Sequence, residues 1–114
     1  MGDRFRFMTR EVERVAKSAV QILQQQLQAE EVWLFGSQVR EEGGPDSDLD
    51  FMVVVPASEE PRYRREQKAH SALRNLSMPK DVVVLTREEW DRESTCGTSL
   101  SSTVRREGLQ LHGA

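Results

Sequence analysis

Between residues 9 and 28 apolar side chains recur at intervals of three and four: Val12, Val15, Ala16, Ala19, Val20, Leu23 and Leu27. They form one stripe of an amphipathic helix. Thr9 suits its N-cap, and Glu11 falls in the first turn, where the helix dipole favours an acid. Glu30-Glu31 breaks the pattern. Val32, Trp33, Leu34 and Phe35 follow, apolar on both alternating sets, which predicts a short strand covered on both faces. Trp33 belongs in the core on this reading. Gly36-Ser37 ends the run. A short helical segment is expected over 38–42 with Ser37 as its N-cap, and then a loop through Gly43-Gly44-Pro45. The next strand is predicted over 48–55, with Leu49, Phe51, Val53 and Val55 on one face and Asp48, Asp50, Met52 and Val54 on the other.

Ser58-Glu59-Glu60-Pro61 opens a second long helix, with the proline in its first turn. Its apolar side is drawn from Tyr63, His70, Leu73 and Leu76, or from Ala69 and Ala72 beside them. It stops before Met78-Pro79. Asp81 begins a third, β-branched strand over 81–85. Thr86-Arg87-Glu88-Glu89 has capping-box spacing and starts a short helix bearing Trp90. The small, polar residues 95–103 suggest a loop. A last helix is expected over 100–107 with Gly108 as its C-cap, and Leu109 and Leu111 add an edge strand or a docked tail. The order α-β-α-β-α-β-α-α describes an α/β (α+β) domain spanning 1–114, a small mixed sheet flanked by helices. The link between the first two strands is short enough for an antiparallel pair.

Composition narrows the function. No apolar run approaches the ~20 residues of a membrane span, and the amino terminus lacks the apolar core of a secretory signal. A soluble, cytoplasmic protein is expected. Cys96 is the one cysteine among 114 residues, which excludes an internal disulfide and a cysteine zinc site. A net charge of −3 argues against nucleic-acid binding through a basic surface. Arg62, Arg64, Arg65 and Lys68 read as the solvated face of a helix. His70 reads as a helix-face residue and His112 as tail, neither with a partner spacing suited to catalysis.

Chemistry gathers at the strand beginnings. Asp48 and Asp50, two apart on a strand, share a face with Cα atoms roughly 7 Å apart. Asp81 opens another strand. Acids in a mostly apolar sheet are costly unless paired or metal-bound, and three carboxylates suit hard cations, Mg²⁺ or Mn²⁺ rather than zinc. Gly36 permits close backbone approach, and the Gly36-Ser37 turn offers N–H groups to a phosphate. Arg40, one helical turn on, reaches the same oxygens or stays on the surface. Two metal ions beside an anion-binding turn make a site for phosphoryl or nucleotidyl transfer. One would activate an attacking hydroxyl, and the other would neutralise the triphosphate.

Gly36-Ser37-x-x-Arg40, Ser47-Asp48-Leu49-Asp50 and Asp81 resemble the motifs of the minimal nucleotidyltransferases, the smallest members of the DNA polymerase β-like superfamily. The resemblance implies that fold and an ATP or other nucleoside triphosphate donor. It also implies two ions held by Asp48, Asp50 and Asp81, with Asp81 helping to activate the acceptor hydroxyl. Members often act as antitoxins beside a HEPN-domain toxin and adenylylate a tyrosine of that partner. Val39 and Glu41 stand where the family often has alanine and glycine. The leading expectation is a Mg²⁺-dependent transferase of NMP to a partner protein, because 114 residues leave no room for a second substrate domain. Trp90, residues 95–103 and the last helix are where the partner contact is expected. The alternative is a binding module that neutralises its partner by masking it.

Overall fold

The computed structural model describes residues 9–36, 39 and 48–113. Helix α1 runs Arg10–Leu27. The Thr9 hydroxyl accepts the Val12 N–H at 3.1 Å, and Glu11 and Glu13 occupy the first turn. Val12, Val15, Ala16, Ala19 and Leu23 are buried, the stripe that the spacing predicts. The helix ends on Gln28, whose φ of 58° is left-handed, and the chain turns into the sheet.

Strands β1 (Glu31–Phe35), β2 (Leu49–Val55), β3 (Lys80–Thr86) and β4 (Leu109–His112) form one sheet in the order β3-β2-β1-β4. β1 is antiparallel to β2 and to β4, and β2 is parallel to β3. A parallel pair needs a crossover, supplied here by α2 (Arg62–Ala72). Leu49, Phe51, Val53 and Val55, with Val82 and Val84, pack under α1 and against Ala69 and Leu73. Met52, Val54 and Leu85 point the other way, onto Trp90 of α3 (Arg87–Glu93) and Val104 of α4 (Leu100–Glu107). Burying each large aliphatic or aromatic side chain contributes about 1.5–3 kcal/mol, so the two strands opened by aspartates are the best anchored in the molecule.

Two expectations change. In α2 the buried positions are Arg65 and Ala69, continued by Leu73, whereas Tyr63 and His70 face solvent. The arginine is buried because it is saturated: Nη1 and Nη2 reach Glu89 at 2.7 and 3.1 Å, and Nη1 also donates to the Val84 carbonyl. Trp90 is buried rather than displayed, with its ring centroid 5.7 Å from that of Trp33. α4 starts at Leu100, as the sequence places it, with Ser99 capping it by accepting the Ser102 N–H at 3.0 Å. The capping box at Thr86 and Glu89 forms with both of its bonds. The short helical segment expected over 38–42 lies outside the described residues save for Val39, whose N–H bonds the Gly36 carbonyl at 3.1 Å.

Candidate functional site

β1 ends at Phe35, which pairs with Asp50. The next residue, Gly36, has φ +85°, a conformation that glycine adopts at least cost. A side chain is also sterically excluded here, since a Cβ on Gly36 would overlap Oδ2 of Asp50. The glycine backbone therefore lies directly against the carboxylate. Val39 bonding back to Gly36 shows that the chain turns at once. Ser37 and Arg40, expected to complete the phosphate cradle, lie outside the described residues.

Asp50 is half-buried on β2, and Asp48, just before the strand, is exposed. Being two apart, they share a face of the strand. Asp81 is in register with Asp50 on the parallel neighbour, so their side chains leave the same face from backbones about 4.8 Å apart. A bond from the Leu49 N–H to the Pro79 carbonyl at 3.0 Å aligns the two strand beginnings. The register thus sets Asp50 and Asp81, 31 residues apart in sequence, side by side on adjacent strands, with Asp48 just before β2.

Asp81 has a neighbour that sequence spacing did not reveal. His70 Nε2, on the exposed side of α2, stands 3.6 Å from Asp81 Oδ1. The only signal for it would have been the packing of α2 along β3. A cleft opens beside the pair, between α2 and the strand, lined among others by Tyr63, Glu66 and Gln67. His112 is remote from this end of the site, with its ring 3.1 Å from the Gln24 amide. Cys96 is an exposed free thiol near Thr98.

The donor set is right for a hard divalent cation, all carboxylate oxygen. Among the described residues, however, no three His, Cys, Asp or Glu side chains are drawn together tightly enough to grip an ion. Asp81 is three-quarters exposed and turned toward His70. The register of Asp50 and Asp81 fits a metal site, and the exposed Asp48 and Asp81 side chains would have to turn toward Asp50 to hold an ion.

The basic positions on α2 are largely committed elsewhere. Arg62 pairs with Glu93 at 3.4 Å, Arg65 with Glu89, and Lys68 with Glu60. Their charge is neutralised locally; Arg62, Arg64 and Lys68 lie on the exposed face expected of them, whereas Arg65, expected there too, is buried. The shifted ionisations also lie at the far end of the sheet. The Arg65 hydrogen bonds, supported by the capping N–H of Thr86 and opposed by burial, hold the Glu89 carboxyl down at about 2. Glu31 above all, with Glu30 and Asp91, raises the Arg87 guanidinium above its ordinary value against the effect of burial.

A family model described as a nucleotidyltransferase domain matches residues 16–106. No curated protein matches the chain. Among solved structures, it is similar to a protein of Sulfolobus solfataricus assigned as a nucleotidyltransferase, at 27% identity and TM-score 0.58, covering 72% of this chain and 75% of that one. It also resembles the toxin–antitoxin pair MntA–HpeT in a mutant form, at 23% identity and TM-score 0.54 over 87% of this chain and 72% of that one. A toxin–antitoxin structure with AMP-PNP superposes at 21% identity and TM-score 0.52, over 93% and 75% of the two chains. At those last two identities the likeness bears on fold alone. Among the described residues no helix is long and apolar enough to cross a membrane.

Proposed function

Because the chain belongs to the nucleotidyltransferase domain family, we propose that it transfers a nucleoside monophosphate, AMP from ATP, to a side-chain hydroxyl of a partner protein. It does so as the antitoxin of a cytoplasmic pair with a HEPN-type toxin. One observation carries this reading: Asp50 lies against the bare backbone of Gly36 on one side and in register with Asp81 on the other. The three positions divide the work. Gly36, with Ser37 and Arg40 after it, would take the phosphates, since a backbone without Cβ can approach their oxygens closely. Asp48, Asp50 and Asp81 would hold Mg²⁺ or Mn²⁺, which when bound supplies positive charge to the triphosphate and leaving group.

The acceptor oxygen bonds to the α-phosphorus and the bond from that phosphorus to the β-bridging oxygen breaks. Pyrophosphate leaves, and the hydroxyl proton passes to the Asp81 carboxylate and on to water. Asp81 suits this role because it is exposed and lies at the sheet edge, where another molecule can reach it. The partner assignment is supported by the fold likeness to toxin–antitoxin proteins, one of them seen with AMP-PNP. The buried position of Trp90 removes it from the partner surface and leaves residues 95–103 and α4, with exposed Leu100, as the contact expected there.

The test is to incubate the chain with ATP and Mg²⁺, with and without its co-purifying partner, and weigh both proteins. An AMP-sized gain on the partner, absent with Asp48→Asn, is the expected result. A tight complex whose masses never change would instead favour neutralisation by masking.

A further inference from the structure

The outer edge of β3 is closed at one point and open at the next. Because the Leu49 N–H bonds Pro79 across the strand pair, Asp81, Val83 and Leu85 turn their backbone groups toward β2. Lys80, Val82 and Val84 turn theirs outward. At Val84, α2 closes the edge: the Glu66 carboxylate accepts the Val84 N–H at 3.3 Å, and Arg65 donates to its carbonyl at 3.1 Å. At Val82 no described side chain does the same. There the helix and the strand stand apart as the cleft that holds His70 and Asp81.

We propose that this cleft docks the acceptor: an extended segment of the protein substrate adds to β3 as a further strand, pairs with Val82, and carries the hydroxyl that receives the nucleotide. This deepens, and rests on, the nucleotidyl-transfer reading above. The geometry of strand addition makes the case. An added strand lies about 4.8 Å from β3, and its residue opposite Asp81 projects from the same face as Asp81 does. Asp81 then stands between Asp50 on one side and the acceptor residue on the other. Phosphates held toward Gly36 and a hydroxyl held beyond Asp81 approach from opposite sides and do not compete for space. The oxygen that bonds to the α-phosphorus, with pyrophosphate leaving and the proton passing to Asp81, is the one this register supplies.

The same edge limits what can bind. Closure at Val84 restricts pairing to a short segment and protects the strand from indiscriminate edge-to-edge association. Glu66 and Asp81 in the cleft wall favour a segment with a basic residue near its hydroxyl.

A blocked peptide Lys-Val-Tyr-Val-Thr tests this, against a control with both valines replaced by proline, which cannot pair as a strand. With Mg²⁺ and ATP labelled at the α-phosphate, the first peptide should gain label at least ten times faster. Gln67→Trp fills the cleft from an exposed position, and Gln67→Arg repels the basic residue without adding bulk of that kind. Each should cut peptide labelling at least tenfold with AMP-PNP binding and melting temperature unchanged. Equal labelling of the two peptides, no effect of either variant, or no peptide labelling by a chain that does transfer AMP to its co-purifying partner would overturn the cleft assignment alone. A chain that binds nucleotide yet labels neither peptide nor partner would overturn the transfer reading with it. A chain that binds no nucleotide would overturn the transfer reading and this assignment together.

Discussion

Where β1 begins and β3 ends, acids are matched to guanidinium groups. Arg87 reaches Glu30 at 2.9 Å and Glu31 at 2.7 Å, and Arg65 grips Glu89 with two nitrogens. At the opposite end of the same strands, Asp48 and Asp81 stand exposed, and no described arginine or lysine pairs with either. Asp50 between them lies against a glycine that admits no side chain. Acids at the first end stabilise the fold: Glu89 completes a capping box and neutralises a buried arginine together. Asp48 and Asp81 at the second end, exposed and without a described arginine or lysine partner, contribute little that a neutral side chain could not. Exposed carboxylates with no described arginine partner, as at Asp48 and Asp81, remain able to accept cations, and on the reading proposed above this separates the acids that hold the fold from those that serve the site.

Substitutions at the two ends should therefore fail in different ways. Asp50→Asn should lower nucleotidyl transfer by at least about a thousandfold, on the order of 4 kcal/mol in the barrier, while leaving the denaturation midpoint within error. Labelled-ATP transfer and a urea melt measure the two. At the other end, Arg65→Ala leaves Glu89 without its partner and should cost about 3 kcal/mol of stability. Arg65→Met should cost less, because it leaves Glu89 without its partner equally but fills most of the space that alanine would leave empty.

The acid range sharpens the contrast. Glu89 is depressed from 4.5 in the unfolded chain to about 2 in the folded one. Its stabilisation is fully present above about pH 4.5 and is lost as the pH falls toward about 2. The carboxylate is about a quarter exposed, so solvent screening holds the effect to roughly 2 kcal/mol. Urea midpoints measured across this interval should fall steeply for the native chain and less for Glu89→Gln. Gly36→Ala forces a Cβ into a left-handed conformation and should cost about 1–2 kcal/mol of stability. It should nonetheless depress transfer well beyond that loss, because the methyl displaces the Asp50 carboxylate.

What the sequence made legible is what local chemistry dictates. The stripe of α1, the Thr86-Glu89 capping box and the alternation of β2 are patterns of nearest neighbours, and each appears with boundaries shifted by a residue or so. The three aspartates were legible for the same reason, since acids opening apolar strands are conspicuous. α2 was not. Its inward face begins with Arg65, whose partner Glu89 lies 24 residues away, so the arginine looked like surface and Tyr63 and His70 looked like core. The meeting of His70 with Asp81 and the stacking of Trp90 on Trp33 likewise depend on tertiary packing, which no spacing rule encodes.

The account turns on whether the end of the sheet bearing Asp48, Asp50 and Asp81 binds a nucleotide with divalent cation. Thermal melts with and without Mg²⁺ and AMP-PNP decide it. At ligand a hundredfold above Kd the native chain should gain about 2.7 kcal/mol and melt several degrees higher. The gain should vanish with EDTA and with Asp50→Asn. No shift in the native chain, or an undiminished shift in Asp50→Asn, would contradict the assignment of these aspartates as a nucleotidyl-transfer site.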